Sequence, residues 1–131
     1  MTTVIFACVH NAGRSQMAAA FFNGFANPSK ARALSAGTSP ATRIHADVVT
    51  AMAEVGITLA GTPQALTEHL ARGASWLVTM GCGDQCPFVH GARVEDWPLP
   101  DPQGRPPDEV RAIRDDIARR VQELIAREGW N

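Results

Sequence analysis

An unbroken apolar run, Val4-Ile5-Phe6-Ala7, passes directly into Cys8-Val9-His10-Asn11-Ala12-Gly13-Arg14-Ser15, and a helical pattern begins at once behind it. No other feature restricts the fold so tightly. A buried strand over residues 3–7, a tight loop and a helix over residues 14–26 form the first half of a βαβ unit. Met17, Ala20, Phe21 and Phe25 recur at helical spacing and are expected on the inner face of that helix. A cysteine and an arginine with five residues between them can curl the backbone until its N–H groups converge on one anion, while the guanidinium forks across two of the anion's oxygens. The helix N-terminus behind the loop favours negative charge, on an oxyanion and on a cysteine thiolate alike. Cys8 is therefore the candidate nucleophile, with Arg14 as anion clamp and Val9, His10, Asn11, Ala12, Gly13 and Ser15 completing the binding loop. An inert buried thiol would leave Arg14 unexplained, because an arginine buried at a helix start is costly without an anion to meet it. Asn11 and Gly13 tolerate the positive φ angles of a curled loop. Two roles stay open for Ser15, N-cap of the helix or donor to the Cys8 sulfur. His10 is expected to point outward.

Further along, residues 33–36 read as a short strand ending at Gly37, Ser39-Pro40 marks a turn, and a helix follows with Val48, Met52 and Val55 inward before Gly56 stops it. Residues 66–70 suggest a short helix and residues 76–80 a buried strand running straight into Gly81-Cys82. Residues 93–97 read as a further strand, and Pro98, Pro100 and Pro102 stiffen the loop after it. The last helix starts near Pro106-Pro107-Asp108-Glu109, buries Val110, Ile113, Ile117, Val121 and Leu124, and turns its arginines and aspartates to solvent. Strands alternating with helices predict one α/β domain over residues 1–131, a parallel sheet covered on both faces. In such a sheet the strand C-termini share an edge, where Cys8 and Cys82 could meet. A net charge of −1 offers no case for nucleic acid or an anionic membrane, and no apolar stretch approaches the ~20 residues that span a bilayer, so a cytoplasmic protein is expected. Three cysteines in a chain with its own core favour thiol chemistry over structural bridges.

The residues Cys8, Asn11, Arg14 and Ser15 resemble the signature of the low-molecular-weight protein tyrosine phosphatase superfamily, a cysteine, five residues and Arg-Ser with asparagine third among the five. Asp101-Pro102 is similar to its aspartate-proline loop, and the resemblance runs from Cys8 to the C-terminal helix. It implies a four-stranded parallel sheet with flanking helices, and Asp101 as general acid. Within the superfamily, Cys82-Gly83-Asp84-Gln85-Cys86-Pro87, Gln16-Met17 after Arg14-Ser15, and Asp96-Trp97-Pro98-Leu99-Pro100-Asp101-Pro102 resemble the thioredoxin-coupled arsenate reductases. That resemblance implies attack of Cys8 on arsenate, a disulfide relay from Cys8 through Cys82 to Cys86, and reset by a thioredoxin-type or other thiol donor. Phosphate, nearly the same size and charge as arsenate, and sulfate are expected as competing oxyanions, and no bound cofactor or metal and a monomer are expected. The chain departs from the pattern in the three-residue interval between Cys82 and Cys86 and in Gly13, where many relatives carry another cysteine.

A phosphatase acting on phosphotyrosine or small phosphomonoesters, with Cys82 and Cys86 guarding Cys8 from oxidation, is the competing enzyme. It needs only Cys8, Arg14 and Asp101, which leaves two cysteines surplus. A phosphotyrosine ring also needs an aromatic wall, and with no tyrosine in the chain Trp97 and Phe88 are the remaining candidates for one. A zinc module on Cys82, Cys86 and His90, with Cys8 or His10 as fourth ligand, is opposed by Pro87, which interrupts a helix, and by Arg14, which would crowd a cation.

Overall fold

The structure, a computed structural model, describes residues 1–81 and 91–131. Cys82, Cys86, Phe88 and His90 lie outside the described residues. Strand β1 (Thr2–Cys8) runs parallel to β2 (Ala31–Gly37) on one side and β3 (Trp76–Thr79) on the other, and β4 (Arg93–Asp96) adds to β3, giving the order β2-β1-β3-β4. Helix α1 (Arg14–Phe25) connects β1 to β2, α2 (Ala46–Ala53) and α3 (Glu68–Arg72) lie between β2 and β3, and α4 (Pro107–Glu128) follows β4.

The apolar run at the N-terminus is continuous because β1 is central and buried on both faces. Its side chains alternate: Val4, Phe6 and Cys8 enter the core shared with α1, α2 and α4, while Ile5 and Ala7 enter a smaller one beside Ala71 of α3. Helices thus cover both faces as predicted, with three on the Cys8 side. Each fully buried large side chain here, Phe6 and Phe22 among them, contributes about 2 kcal/mol. Helix α4 opens on Pro107 with Asp108 and Glu109 in its first turn and closes on Gly129 in the left-handed region (φ 73°), where the Trp130 amide reaches back to the Ile125 carbonyl. All five residues predicted for its inner face are buried.

Several details differ from the sequence expectation. In α1 the inward phenylalanines are Phe21 and Phe22, whereas Phe25 stands 41% exposed and stacks on Phe21. The helix is gripped by the sheet and by α4 together, which widens its buried face to include Phe22. Val55 falls beyond the end of α2 and is exposed; after Gly56 (φ 81°) the chain turns back and packs Ile57 against the core instead. Leu66 precedes α3, its amide donating to the Gly37 carbonyl, and Thr67 caps that helix through its hydroxyl. Trp97 lies outside β4, buried on Phe6, with its indole N–H donating to Glu95.

Arg114 is a further departure from the solvated face expected of α4. It is buried, donating to the Ala51 carbonyl and to Glu54, which also accepts two N–H groups of Arg111. Glu54 thereby ties α2 to α4. Its carboxyl is held below the usual range, chiefly by the hydrogen bond from Arg111, which with the charge of Arg111 and the contacts of Arg114 outweighs the opposing effect of desolvation. A carboxylate with a lowered folded-state pKa contributes stability that is present above its ordinary value of 4.5 and is lost as pH falls through the lower folded value. Glu54→Gln is expected to lower the thermal midpoint at pH 7 by roughly 2–5 °C. The gap between variant and parent should close below about pH 4.5, and thermal melts from pH 7 to pH 3 check both expectations.

Candidate active site at the end of the first strand

The loop from Cys8 to Gly13 has every carbonyl engaged. Those of Cys8, Val9, His10 and Ala12 accept the amides of Thr38, Ser39, Ala41 and His45, and that of Gly13 accepts the amide of Met17 in the first turn of α1. The Asn11 carbonyl accepts from the side chain of Gln16 (3.0 Å). In a trans peptide the carbonyl and the following N–H point opposite ways, so six outward carbonyls aim the amides of residues 9–14 inward. None of the amides of residues 9–15 meets an acceptor among the described residues. Successive amides turned to one side make a concave site for an anion, here with the N-terminus of α1 behind it.

Cys8 ends β1 beneath this loop, 2% exposed, with its sulfur 2.9 Å from the Ser15 hydroxyl. The direction of that bond follows from its neighbours. The Gln64 backbone amide, which can only donate, donates to Asn11 Oδ1 (2.9 Å), so the other end of the Asn11 amide is Nδ2, donating to Ser15 Oγ (2.8 Å). With one lone pair taken, the Ser15 hydroxyl has its own proton to offer the sulfur. Ser15 is thus the thiol's partner and not the N-cap; the cap position is Gly13, which has no side chain. Asn11 holds its place with φ 51°, in the left-handed region that asparagine tolerates, and is fully buried. His10 is exposed, as expected.

Arg14 is 8% exposed. Its NH1 donates to the Leu99 carbonyl (2.9 Å) and its NH2 lies 3.9 Å from Asp101 Oδ2, so it joins the loop to the segment that carries Asp101. Asp101 keeps its other oxygen on the Gln103 amide, and its carbonyl accepts from Arg105. Pro102 seats against Gly13, where an added Cβ would stand 3.2 Å from its ring. Gly81 (φ 95°) leaves room for the Arg14 guanidinium, which a side chain there would strike.

Of the residues named from sequence, Cys8, Asn11, Gly13, Arg14, Ser15 and Asp101 come together at this edge. Trp97 does not, because its burial on Phe6 removes it as an aromatic wall. Sequence reasoning missed Gln64, Gly37 and the Leu99 carbonyl. Their roles depend on contacts across the sheet edge and leave no local signal. Gln16 was noticed only as part of a resemblance, without a task.

A thiol at the floor of an anion cradle, at the C-terminal edge of a parallel sheet, defines a domain built to bring a cysteine against a tetrahedral oxyanion. The chain belongs to the low molecular weight phosphotyrosine protein phosphatase family, which it matches over residues 3–128. Among its relatives, a putative arsenate reductase of Halobacterium salinarum is 38% identical over 125 residues, covering 92% of this chain and 88% of that protein. A glutaredoxin arsenate reductase of Synechocystis sp. is 33% identical over 138 residues, covering 97% and 98%. The solved Corynebacterium glutamicum thioredoxin-dependent arsenate reductase superposes with a TM-score of 0.81 at 38% identity, covering 95% of this chain; the chain spans 60% of that structure's length.

Proposed function

We propose that this chain reduces arsenate to arsenite. The observation that carries the reading is the loop of six inward amides over the buried Cys8 sulfur, a site without an aromatic wall among the described residues. The similarity to proteins named arsenate reductases supports the choice of anion. In this reading the loop amides and Arg14 hold arsenate, the Cys8 thiolate attacks arsenic(V), and Asp101 protonates the departing hydroxyl. Cys82 then attacks the Cys8 sulfur. The S–As bonding pair passes to arsenic, arsenite leaves, and a Cys8–Cys82 disulfide remains. Cys86 attacks Cys82 and frees Cys8, and a thioredoxin-type donor reduces the Cys82–Cys86 pair. Phosphate and sulfate compete for the same cradle. No helix among the described residues is long and apolar enough to cross a membrane, and a cytoplasmic monomer, where thiols are kept reduced, suits the chemistry.

The test follows NADPH oxidation by the protein with thioredoxin and thioredoxin reductase, started with arsenate. Multiple turnover is expected in the parent and lost in both Cys82→Ser and Cys86→Ser. Without added thiol, Cys86→Ser should still release one arsenite per protein, because its relay stops at the Cys8–Cys82 bridge, and Cys82→Ser should release none. Turnover with glutaredoxin and glutathione in place of thioredoxin would change the donor and keep the reaction. Absence of arsenate turnover with either donor, together with aryl phosphate hydrolysis that survives Cys82→Ser, would replace the reductase by a phosphatase.

A further inference from the structure

Five of the six outward carbonyls of the loop are held by backbone amides, which any side-chain substitution other than proline leaves in place. The sixth is held by a side chain. Gln16 Nε2 donates to the Asn11 carbonyl (3.0 Å) and also reaches Asn11 Oδ1 (3.2 Å), and no other donor to that carbonyl exists among the described residues. Asn11 is fully buried and sits in the left-handed region, so without Gln16 its carbonyl loses its partner at a strained position. The peptide between Asn11 and Ala12 is the plane that this bond fixes. Turning it would release the carbonyl from the back of the loop and swing the Ala12 N–H away from the centre of the cradle.

We propose that Gln16 is a positioning residue for oxyanion binding: through the Asn11 carbonyl it locks the 11–12 peptide and aims the Ala12 amide at the bound anion. It touches no reacting atom. Gln16 lies in the first turn of α1, five residues beyond the carbonyl it holds, so the helix itself supplies the clamp. The inference rests on the reading of the loop as an oxyanion site, but not on which reaction follows.

Inorganic phosphate is the probe, titrated into uniformly 15N-labelled protein and followed through amide cross-peaks. In the parent, the amide protons of residues 9–14 should shift downfield as they take hydrogen bonds to phosphate. In Gln16→Met, which keeps the length of the side chain and removes its donor, the Ala12 shift should vanish while those of Val9 and Gly13 persist. Phosphate affinity should fall about tenfold, the scale of one buried hydrogen bond. Asn23→Ala is the reference, because Asn23 clamps the β2 backbone at Ala33 in a similar way, away from the loop. It should lower the thermal midpoint and leave phosphate affinity within about twofold. An Ala12 shift in Gln16→Met equal to that of the parent would overturn the proposal, as would equal affinity. If phosphate moves no loop amide in the parent, the cradle reading falls and this inference with it.

Discussion

Arg14→Lys should lower arsenate-dependent kcat/KM at least about a hundredfold while the thermal midpoint moves by only a few degrees. The loss follows from the number of bonds the guanidinium must make at once. One nitrogen is committed to the Leu99 carbonyl and another faces Asp101, in a slot kept open by the absence of a side chain at Gly81. A planar fork can hold that carbonyl and present the rest of its N–H groups to an anion. An ammonium has three donors around one point and cannot span both. Loss of a single oriented donor to a developing oxyanion costs about a hundred- to a thousandfold in rate, which sets the lower bound. The charge is retained, so the comparison isolates geometry from Coulomb attraction. Kinetics with arsenate on the purified variant, beside its melting curve, check this. A variant within tenfold of the parent would mean that Arg14 serves only as a charge, or that the anion binds elsewhere.

How much of this was legible before the structure depends on the range of each contact. The strand-helix order of the βα unit and the five apolar residues on the buried face of α4 rest on apolar patterning within a few turns, and these emerged as read. Cys8 and Arg14 rest on a spacing with a direct geometric meaning, and the loop between them curls as the spacing requires. Ser15 could not be assigned from its position. Its role depends on the orientation of Asn11, which is fixed by the Gln64 amide arriving from the far side of β2. Phe22 and Phe25 are equally apolar, and it is Phe6 of the sheet and Trp130 after α4, meeting the Phe22 ring, that decide which of them is covered. Arg114 reads as one more arginine on a charged helix until the Ala51 carbonyl and Glu54 are placed beside it. Local patterns therefore marked the loop, whereas most of the groups that hold its carbonyls lie far along the chain and meet it at the sheet edge.

Gly37→Ala puts the largest demand on that rigidity, and it is expected to reduce arsenate-dependent kcat/KM by more than about a hundredfold and to lower the thermal midpoint by roughly 4–10 °C, corresponding to an overpacking cost of about 1–3 kcal/mol. Gly37 ends β2 opposite Cys8, behind the cradle. An added Cβ would stand 2.6 Å from the Val9 carbonyl oxygen, 2.9 Å from the Asn11 nitrogen and 3.0 Å from the Asn11 Cβ. These atoms have little freedom to retreat, since Val9 is held by the Ser39 amide and Asn11 by Gln16, Gln64 and Ser15. Nor can Gly37 withdraw, because its own amide and carbonyl are bound to Gln64 and Leu66. The strain must then enter the loop, where it turns the amides proposed to hold the anion. Gly24→Ala is the matching control: that glycine lies within α1 with nothing inside 4 Å of an added Cβ, so alanine should raise stability by about 0.5–1 kcal/mol and leave turnover unchanged. Thermal melts and arsenate kinetics on the two alanine variants measure both effects. A Gly37 variant as active as the Gly24 variant would show that the loop yields, and that its pinned carbonyls do not set the geometry on which binding depends.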